Sequence, residues 1–279
     1  MQVVCTLAGS DSGGGAGIQA DLKTFEAHGV FGTTVITALT AQNTQGVQAV
    51  ESVSPAFVSA QLQSLLVDFR MAAFKTGMLF DASIIQAVAE GLEPMLLGSA
   101  RPPLVLDPVM VSTSGHQLLQ DDAVAALIQQ LFPLATVITP NLAEAERLAD
   151  RSIRTLEDAR HAARLIGKLA PKAFILVKGG HALPTDAPHQ RDNLARDLLY
   201  RNGEYVVLEQ PRVPITDSHG TGCTLAAAIT ARLALGDDVP TAVRVAKRYI
   251  THALTYAPTD VGQGARPLRH SLNQFPWLT

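Results

Sequence analysis

Hydrophobic residues fall along this chain in short β-branched runs, separated by longer stretches with helical spacing. Residues 3–7, 33–39, 74–77, 104–106, 136–138 and 174–177 read as strands, and 16–27, 55–69, 82–97, 121–131, 142–149 and 156–169 read as helices. This alternation predicts βαβ units and hence a mostly parallel sheet with helices on both faces. The strands are almost continuously apolar, as strands covered on both sides should be. Arg201-Asn202-Gly203, set between two apolar runs, predicts a small β-hairpin and a sheet that is not purely parallel. The polar, proline-bearing stretch 183–193 reads as a mobile loop. Neither repeat nor linker divides the chain, so the expectation is a single α/β domain over residues 1–279.

Composition narrows the class. Hydrophobic residues make up 47% and charged residues 17% of the chain, the balance of a well-buried globular protein. A net charge of −3 argues against a nucleic-acid partner held by a basic face. No uninterrupted apolar run reaches the roughly 18 residues of a membrane span. Met1–Cys5 shows no basic region or cleavage site, so no secretory signal is expected. With only Cys5 and Cys223 present, a disulfide framework is excluded and a reducing cytoplasm is the expected location.

Ligands of open α/β sheets bind beyond the carboxyl ends of the strands. Here strand after strand ends in polar or glycine-rich residues. The first is followed by Gly9-Ser10-Asp11-Ser12-Gly13-Gly14-Gly15-Ala16-Gly17, the second by Thr40-Ala41-Gln42-Asn43, and later ones by Asp107-Pro108, Thr139-Pro140-Asn141 and Lys178-Gly179-Gly180. Farther on, Ser218-His219-Gly220-Thr221-Gly222-Cys223-Thr224 runs into the alanine-rich helix that starts at Leu225. Amides at such a helix start lack intrahelical partners and lie at the positive end of the dipole, which suits phosphate. A glycine turn that only lets the helix pack closely remains the alternative.

Each candidate has a plain structural reading beside the functional one. Gly15-Ala16-Gly17-Ile18-Gln19-Ala20 matches the dinucleotide fingerprint formally, yet Gln42 and Asn43 stand where a ribose-holding acid is needed, so that reading fails. Asp21 lies one helical turn beyond the glycine loop, and reads equally as an exposed helix carboxylate. Asp107 and Glu144 have the chemistry to hold Mg²⁺; otherwise Asp107 is a turn residue, and Asn141 with Glu144 is a helix-capping pair. Lys178 could meet phosphate oxygens as a point charge, or be a solvated strand-end lysine. No Walker sequence, His-Glu-x-x-His spacing or Gly-x-Ser-x-Gly elbow occurs.

Six segments taken in order resemble the hydroxymethylpyrimidine/phosphomethylpyrimidine kinases of thiamine biosynthesis, in the ribokinase-like superfamily. They are Ala8-Gly9-Ser10-Asp11 through Gly17-Ile18-Gln19-Ala20-Asp21-Leu22-Lys23-Thr24-Phe25; Val35-Ile36-Thr37-Ala38-Leu39-Thr40-Ala41-Gln42-Asn43-Thr44; Leu106-Asp107-Pro108-Val109-Met110; Thr139-Pro140-Asn141-Leu142-Ala143-Glu144-Ala145; Lys178-Gly179-Gly180-His181; and His219-Gly220-Thr221-Gly222-Cys223-Thr224. The resemblance implies a three-layer α/β/α fold and a homodimer. It also implies transfer of phosphate from ATP to 4-amino-5-hydroxymethyl-2-methylpyrimidine, then to its monophosphate, with Mg²⁺. Gly9, Asp21, Gln42, Met78 and Val109 would surround the pyrimidine. Lys178, Asn141, Thr216, His219, Gly220 and Gly222 would bind the nucleotide, and Asp107 and Glu144 the metal. Amides of Gly220, Thr221, Gly222 and Cys223 would receive the moving phosphoryl group. Cys223 stands where ribokinase-like sugar kinases carry an aspartate base. A thiol at a helix start is expected to have a lowered pKa, so Cys223 would deprotonate or orient the substrate hydroxyl, or only shape the pocket. Pyridoxal kinase, which shares the fold, and a non-catalytic pyrimidine or nucleotide sensor are the competing readings.

Overall fold

The computed structural model describes residues 1–98, 101–111, 119, 121–180, 183, 193–215 and 217–271. Its first half runs β1 (Val3–Asp11), α1 (Gly17–Ala27), β2 (Phe31–Asn43), β3 (Gly46–Ser52), α2 (Pro55–Leu66), β4 (Met71–Thr76), α3 (Ala82–Leu96) and β5 (Leu104–Leu106). The second half continues with α4 (Asp121–Ala126), β6 (Val137–Ile138), α5 (Leu142–Ala149), α6 (Leu156–Leu169), β7 (Phe174–Gly180), β8 (Leu194–Arg201) and β9 (Glu204–Pro211). The short β10 (Ser218–His219), then α7 (Thr221–Ala234), α8 (Val239–Thr255) and β11 (Arg266–Pro267) complete it. All six predicted strands and the hairpin form. Most of 183–193 lies outside the described residues.

Nine strands share one sheet in the order β3-β2-β1-β4-β5-β6-β7-β8-β9. The six from β2 to β7 are parallel, and β3, β8 and β9 add antiparallel edges. Alternate residues of each strand feed opposite cores. Leu7, Phe74, Leu106, Ile138 and Ile175 pack on the side of α2 to α6. Val4, Ala73, Val105, Val137 and Leu176 face the other layer, formed by α1, α7 and α8. This is the expected three-layer α/β/α arrangement.

Two details position the site. The winding reverses between β1 and β4, which makes the cleft beyond their carboxyl ends the topological switch point. The β1–β2 register slips between Ala8 and Ser10, a bulge that re-aims the backbone at Gly9 beside that cleft. Helix α7 buries Ala226, Ala227, Ala228 and Ala231, whose short side chains let it lie close against α1 and the sheet.

Departures from the predicted elements have local causes. The helix expected over 121–131 ends as α4 and widens into a π turn at Leu127–Leu131, followed by a 3₁₀ turn at Phe132–Leu134. Pro133 has no amide to donate and crowds the carbonyl four residues back, which breaks the regular ladder. Strand β3 is an exposed edge whose polar residues give no clear alternation. The predicted elements omit α8, although its buried Val239, Ala242, Val243, Ala246, Tyr249, Ile250 and Ala253 repeat at helical spacing.

Candidate active site

The strand ends and the turn before α7 enclose a cavity of about 520 Å³. Among the residues proposed from sequence, Gly9, Gln42, Met78, Asp107, Val109, Asn141, Glu144, Lys178, His219, Gly220, Thr221, Gly222 and Cys223 all line it. Thr216 lies outside the described residues.

The turn and the first glycine loop are built against each other. Gly220 caps α7 with φ of +84°, and a Cβ there would overlap the carbonyl oxygen of Gly15, so the position excludes other side chains. The first intrahelical bond of α7 runs from Thr224 N to Gly220 O at 2.9 Å. The amides of Thr221, Gly222 and Cys223 therefore precede the helical ladder and are left open to an anion without competition from it. A Cβ built on Gly222 would stand 3.2 Å from Lys178 Nζ and 3.6 Å from Asp107 Oδ2, so glycine keeps open the space between the helix start and those charges.

Asp11 organises the glycine loop. Its Oδ1 accepts from Gly13 N at 2.8 Å, and its Oδ2 from Gly15 N at 3.0 Å and Ala16 N at 2.7 Å. His219 Nε2 meets the same Oδ2 at 2.9 Å. Burial pushes this carboxyl up, but His219 and the loop amides outweigh it and hold Asp11 below the usual range.

Lys178 and Asp107 form the charged end of the cavity. Lys178 Nζ donates to Asp107 Oδ1 at 2.6 Å, and Thr139 Oγ1 donates to the same oxygen at 2.9 Å. Oδ2 thus takes neither of these bonds and lies on the Gly222 side. Burial lowers the Lys178 pKa, yet Asp107 and Glu144 outweigh it and raise the value above normal. Glu144 and Asn141 do form the reciprocal capping box of α5: Asn141 N donates to Glu144 Oε2 at 2.7 Å and Glu144 N to Asn141 Oδ1 at 2.9 Å. Burial, opposed by Lys178 and reinforced by Asp107, raises Glu144 to about 7. The capping reading and the pocket reading hold together: the cap aims a buried carboxylate at the lysine.

Two expectations are corrected. Asp21 does not line the cavity. It is 0% exposed, and its Oδ2 accepts from Thr6 Oγ1 at 2.6 Å and from Lys75 Nζ at 2.8 Å. The buried ammonium of Lys75 holds the Asp21 Oδ2, and the Asp21 Oδ1 is buried with no hydrogen-bond partner among the described residues. His219, expected at the nucleotide, lines the cavity and contacts Asp11 and, at 3.0 Å, the Gln42 amide. The Cys223 thiol is not lowered by its helix start. Burial raises it to about 11, Lys75 and the Gly17 amide oppose that rise, and Asp21 and Asp107 add to it. It is a protonated thiol at neutral pH.

Residues with no single-residue signal complete the site. Lys75 sits fully buried on β4, with its ammonium beside Gly77. Asp197 Oδ1 accepts from the amides of Gly179 and Gly180, while its Oδ2 pairs with Lys247 at 2.6 Å. Val213, Ile215, Ile250 and Leu254 give the cavity an apolar wall. Their partners are remote in sequence, so only tertiary packing exposes their role.

A doubly wound sheet with a glycine-lined anion turn over its switch point is the ribokinase-like architecture. The phosphomethylpyrimidine kinase family model matches residues 11–269, and the chain belongs to that family. It is 46% identical over 97% of both chains to the hydroxymethylpyrimidine/phosphomethylpyrimidine kinase of Haemophilus influenzae, and 47% identical over 96% of both to that of Rhizobium meliloti. Among solved structures, an ADP complex of Bacillus subtilis pyridoxal kinase superposes with a TM-score of 0.84 at 36% identity, covering 97% of this chain and 98% of that one. Phosphomethylpyrimidine kinase from Clostridium difficile gives 0.76 at 42% identity, over 91% and 100%. No helix among the described residues is long and apolar enough to cross a membrane.

Proposed function

We propose that this protein transfers the γ-phosphoryl group of ATP to the hydroxymethyl group of 4-amino-5-hydroxymethyl-2-methylpyrimidine, then to the resulting monophosphate, in thiamine biosynthesis. One observation carries the reading. A single cavity runs from Gln42 and Met78, past the amides of Gly220–Cys223, to Lys178 and Asn141. It thus has a hydrogen-bonding end for a ring, a charged end where the Lys178 ammonium can meet phosphates, and an anion turn between them.

In this reading Gly9, Gln42, Met78 and Val109 hold the pyrimidine. Lys178, Asn141 and Gly222 hold the triphosphate, with its base against the apolar wall of Val213, Ile215, Ile250 and Leu254. Phosphoryl transfer is catalysed mainly by positioning and charge neutralisation. The Thr221, Gly222 and Cys223 amides stabilise the equatorial oxygens as charge develops, and Lys178 adds a positive charge from the nucleotide side. Mg²⁺ fits this donor set: Asp107 Oδ2 lies toward Gly222, and Glu144 is a second carboxylate nearby, the pattern of one or two acids plus substrate phosphates. The ion would supply charge neutralisation to the phosphates. Cys223, as a protonated thiol, orients the hydroxyl; as the oxygen–phosphorus bond forms and the bond to ADP breaks in a largely dissociative step, the hydroxyl proton passes late to an oxygen of the transferred phosphoryl group.

The test is mass spectrometry of products from the pyrimidine alcohol with Mg-ATP. Successive mono- and diphosphates are expected; ATP hydrolysis alone, or no product, would overturn the reading. Pyridoxal in a parallel assay measures the competing activity, since pyridoxal kinases share the fold. The expected preference is for the aminopyrimidine.

A further inference from the structure

His219 Nε2 has two partners, and together they determine how a third side chain is oriented. It lies 2.9 Å from Asp11 Oδ2 and 3.0 Å from the terminal atom of Gln42 that occupies the amide-nitrogen position. Asp11 accepts three backbone amides, and its carboxyl is held below the usual range, so it is an ionised acceptor. His219 Nε2 must therefore carry a proton. An amide nitrogen is also a donor, and two donors cannot share a 3.0 Å contact.

The other end of the Gln42 amide has the same conflict. Its oxygen position lies 3.0 Å from Thr40 Oγ1, which is also 2.9 Å from Ser10 O. A hydroxyl has one proton, and both neighbours demand it. Turning the amide by half a turn about its terminal bond exchanges oxygen and nitrogen while leaving every heavy-atom position unchanged. His219 Nε2–H then donates to Gln42 Oε1 as well as to Asp11. Thr40 donates to Ser10 O and accepts from Gln42 Nε2–H. Each of these four contacts then joins a donor to an acceptor.

We propose that His219, held by Asp11, and Thr40 lock the Gln42 amide with its oxygen toward His219 and its nitrogen toward Thr40, and that this lock selects and orients the substrate ring. The second half rests on the reading above that Gln42 faces an aminopyrimidine. A ring nitrogen beside an amino group is complementary to an amide edge, as when glutamine reads adenine. The amide N–H donates to the ring nitrogen and the amino group donates to the amide oxygen. With the oxygen on the His219 side, the amino group lies there too. The hydroxymethyl group, on the neighbouring ring carbon, is then directed toward Gly220, the residue that follows His219 and starts the anion turn. His219, Asp11 and Thr40 are positioning residues that act through Gln42.

Two experiments test this. In ¹⁵N-labelled wild-type protein, NMR should find His219 Nε2 protonated and the Gln42 side-chain NH₂ giving NOEs to Thr40, not to the His219 ring. An unprotonated Nε2, or NOEs to the imidazole, would overturn the lock. In steady-state kinetics, the kcat/KM ratio for the 4-amino alcohol over its 4-oxo counterpart should fall at least tenfold in His219→Ala and in Thr40→Val, with the Mg-ATP KM within twofold of wild type. A tenfold rise in Mg-ATP KM with that ratio unchanged would instead make His219 a nucleotide contact and sink the proposal. A wild-type enzyme that phosphorylates neither alcohol overturns the substrate assignment and the selecting role with it, while the NMR result still decides the amide orientation.

Discussion

Two lysine–aspartate pairs flank the same cysteine, and they differ in one respect. Lys178–Asp107 borders the cavity, with 14% of the lysine side chain accessible, whereas Lys75–Asp21 is sealed, at 0% for both partners. Both lysines sit on parallel strands, both aspartates take a short ammonium contact, and both pairs act on the Cys223 thiol. The open pair has a free direction, toward Gly222 and the cavity. The sealed pair has none. An ion pair at the edge of a cavity can exchange partners with a ligand during turnover; a sealed pair supplies only a fixed field and a structural constraint.

The sharpest way to break this comparison is Asp21→Ala, which strands the Lys75 ammonium in the core. Loss of one partner of a buried pair costs about 3–5 kcal/mol, so urea unfolding should show a large fall in midpoint. A stable variant with only a raised pyrimidine KM would return Asp21 to the substrate. Next comes Lys178→Ala. Removal of one charge-stabilising group from a phosphoryl-transfer site is expected to lower kcat/KM by about 10²–10³-fold, with the thermal midpoint nearly preserved because the lysine borders a cavity. Unchanged turnover would end the contrast between the pairs.

A third test probes the support behind the anion turn. His270, only 6% exposed, meets Thr224 Oγ1 at 3.0 Å through Nε2. Burial, with a smaller contribution from Lys23, lowers its pKa from 6.5 to about 4. The unfolded chain therefore takes up this proton first as pH falls. The stability contributed by neutral His270 is fully present above pH 6.5 and is lost progressively as pH falls toward 4, a change of roughly 3 kcal/mol. Unfolding midpoints across that window should drop less in His270→Gln than in wild type; parallel curves would remove His270 from the account.

The smallest effect is expected at Cys223. With the thiol raised to about 11, no ionised base is present at neutral pH. Cys223→Ser should keep turnover within about tenfold, since general-base catalysis would cost about 10²–10⁴-fold on removal. The wild-type pH–rate profile should show no limb from thiol ionisation below pH 9. A hundredfold loss in the serine variant would restore the base role.

What could be read from the chain follows the range of the interactions involved. The strands, the hairpin at Asn202-Gly203 and the capping pair Asn141–Glu144 are written in neighbouring residues, and they form as expected. The strand-end chemistry was legible for the same reason: an open α/β sheet gathers whatever follows its strands. Where the expectation failed, the deciding partner was distant. Asp21 belongs to Lys75, 54 positions on; the contact of Asp11 with His219, 208 positions on, was no more legible.

The sequence alone therefore determined the layers of this protein, the strand ends that would carry its chemistry and the glycine turn suited to phosphate, because local period and backbone freedom dictate these. Only the tertiary structure decided which charges meet, which of them reach the cavity and whether Cys223 is ionised. Those outcomes depend on burial and on partners brought together by strand order, and neither is a property of any one segment.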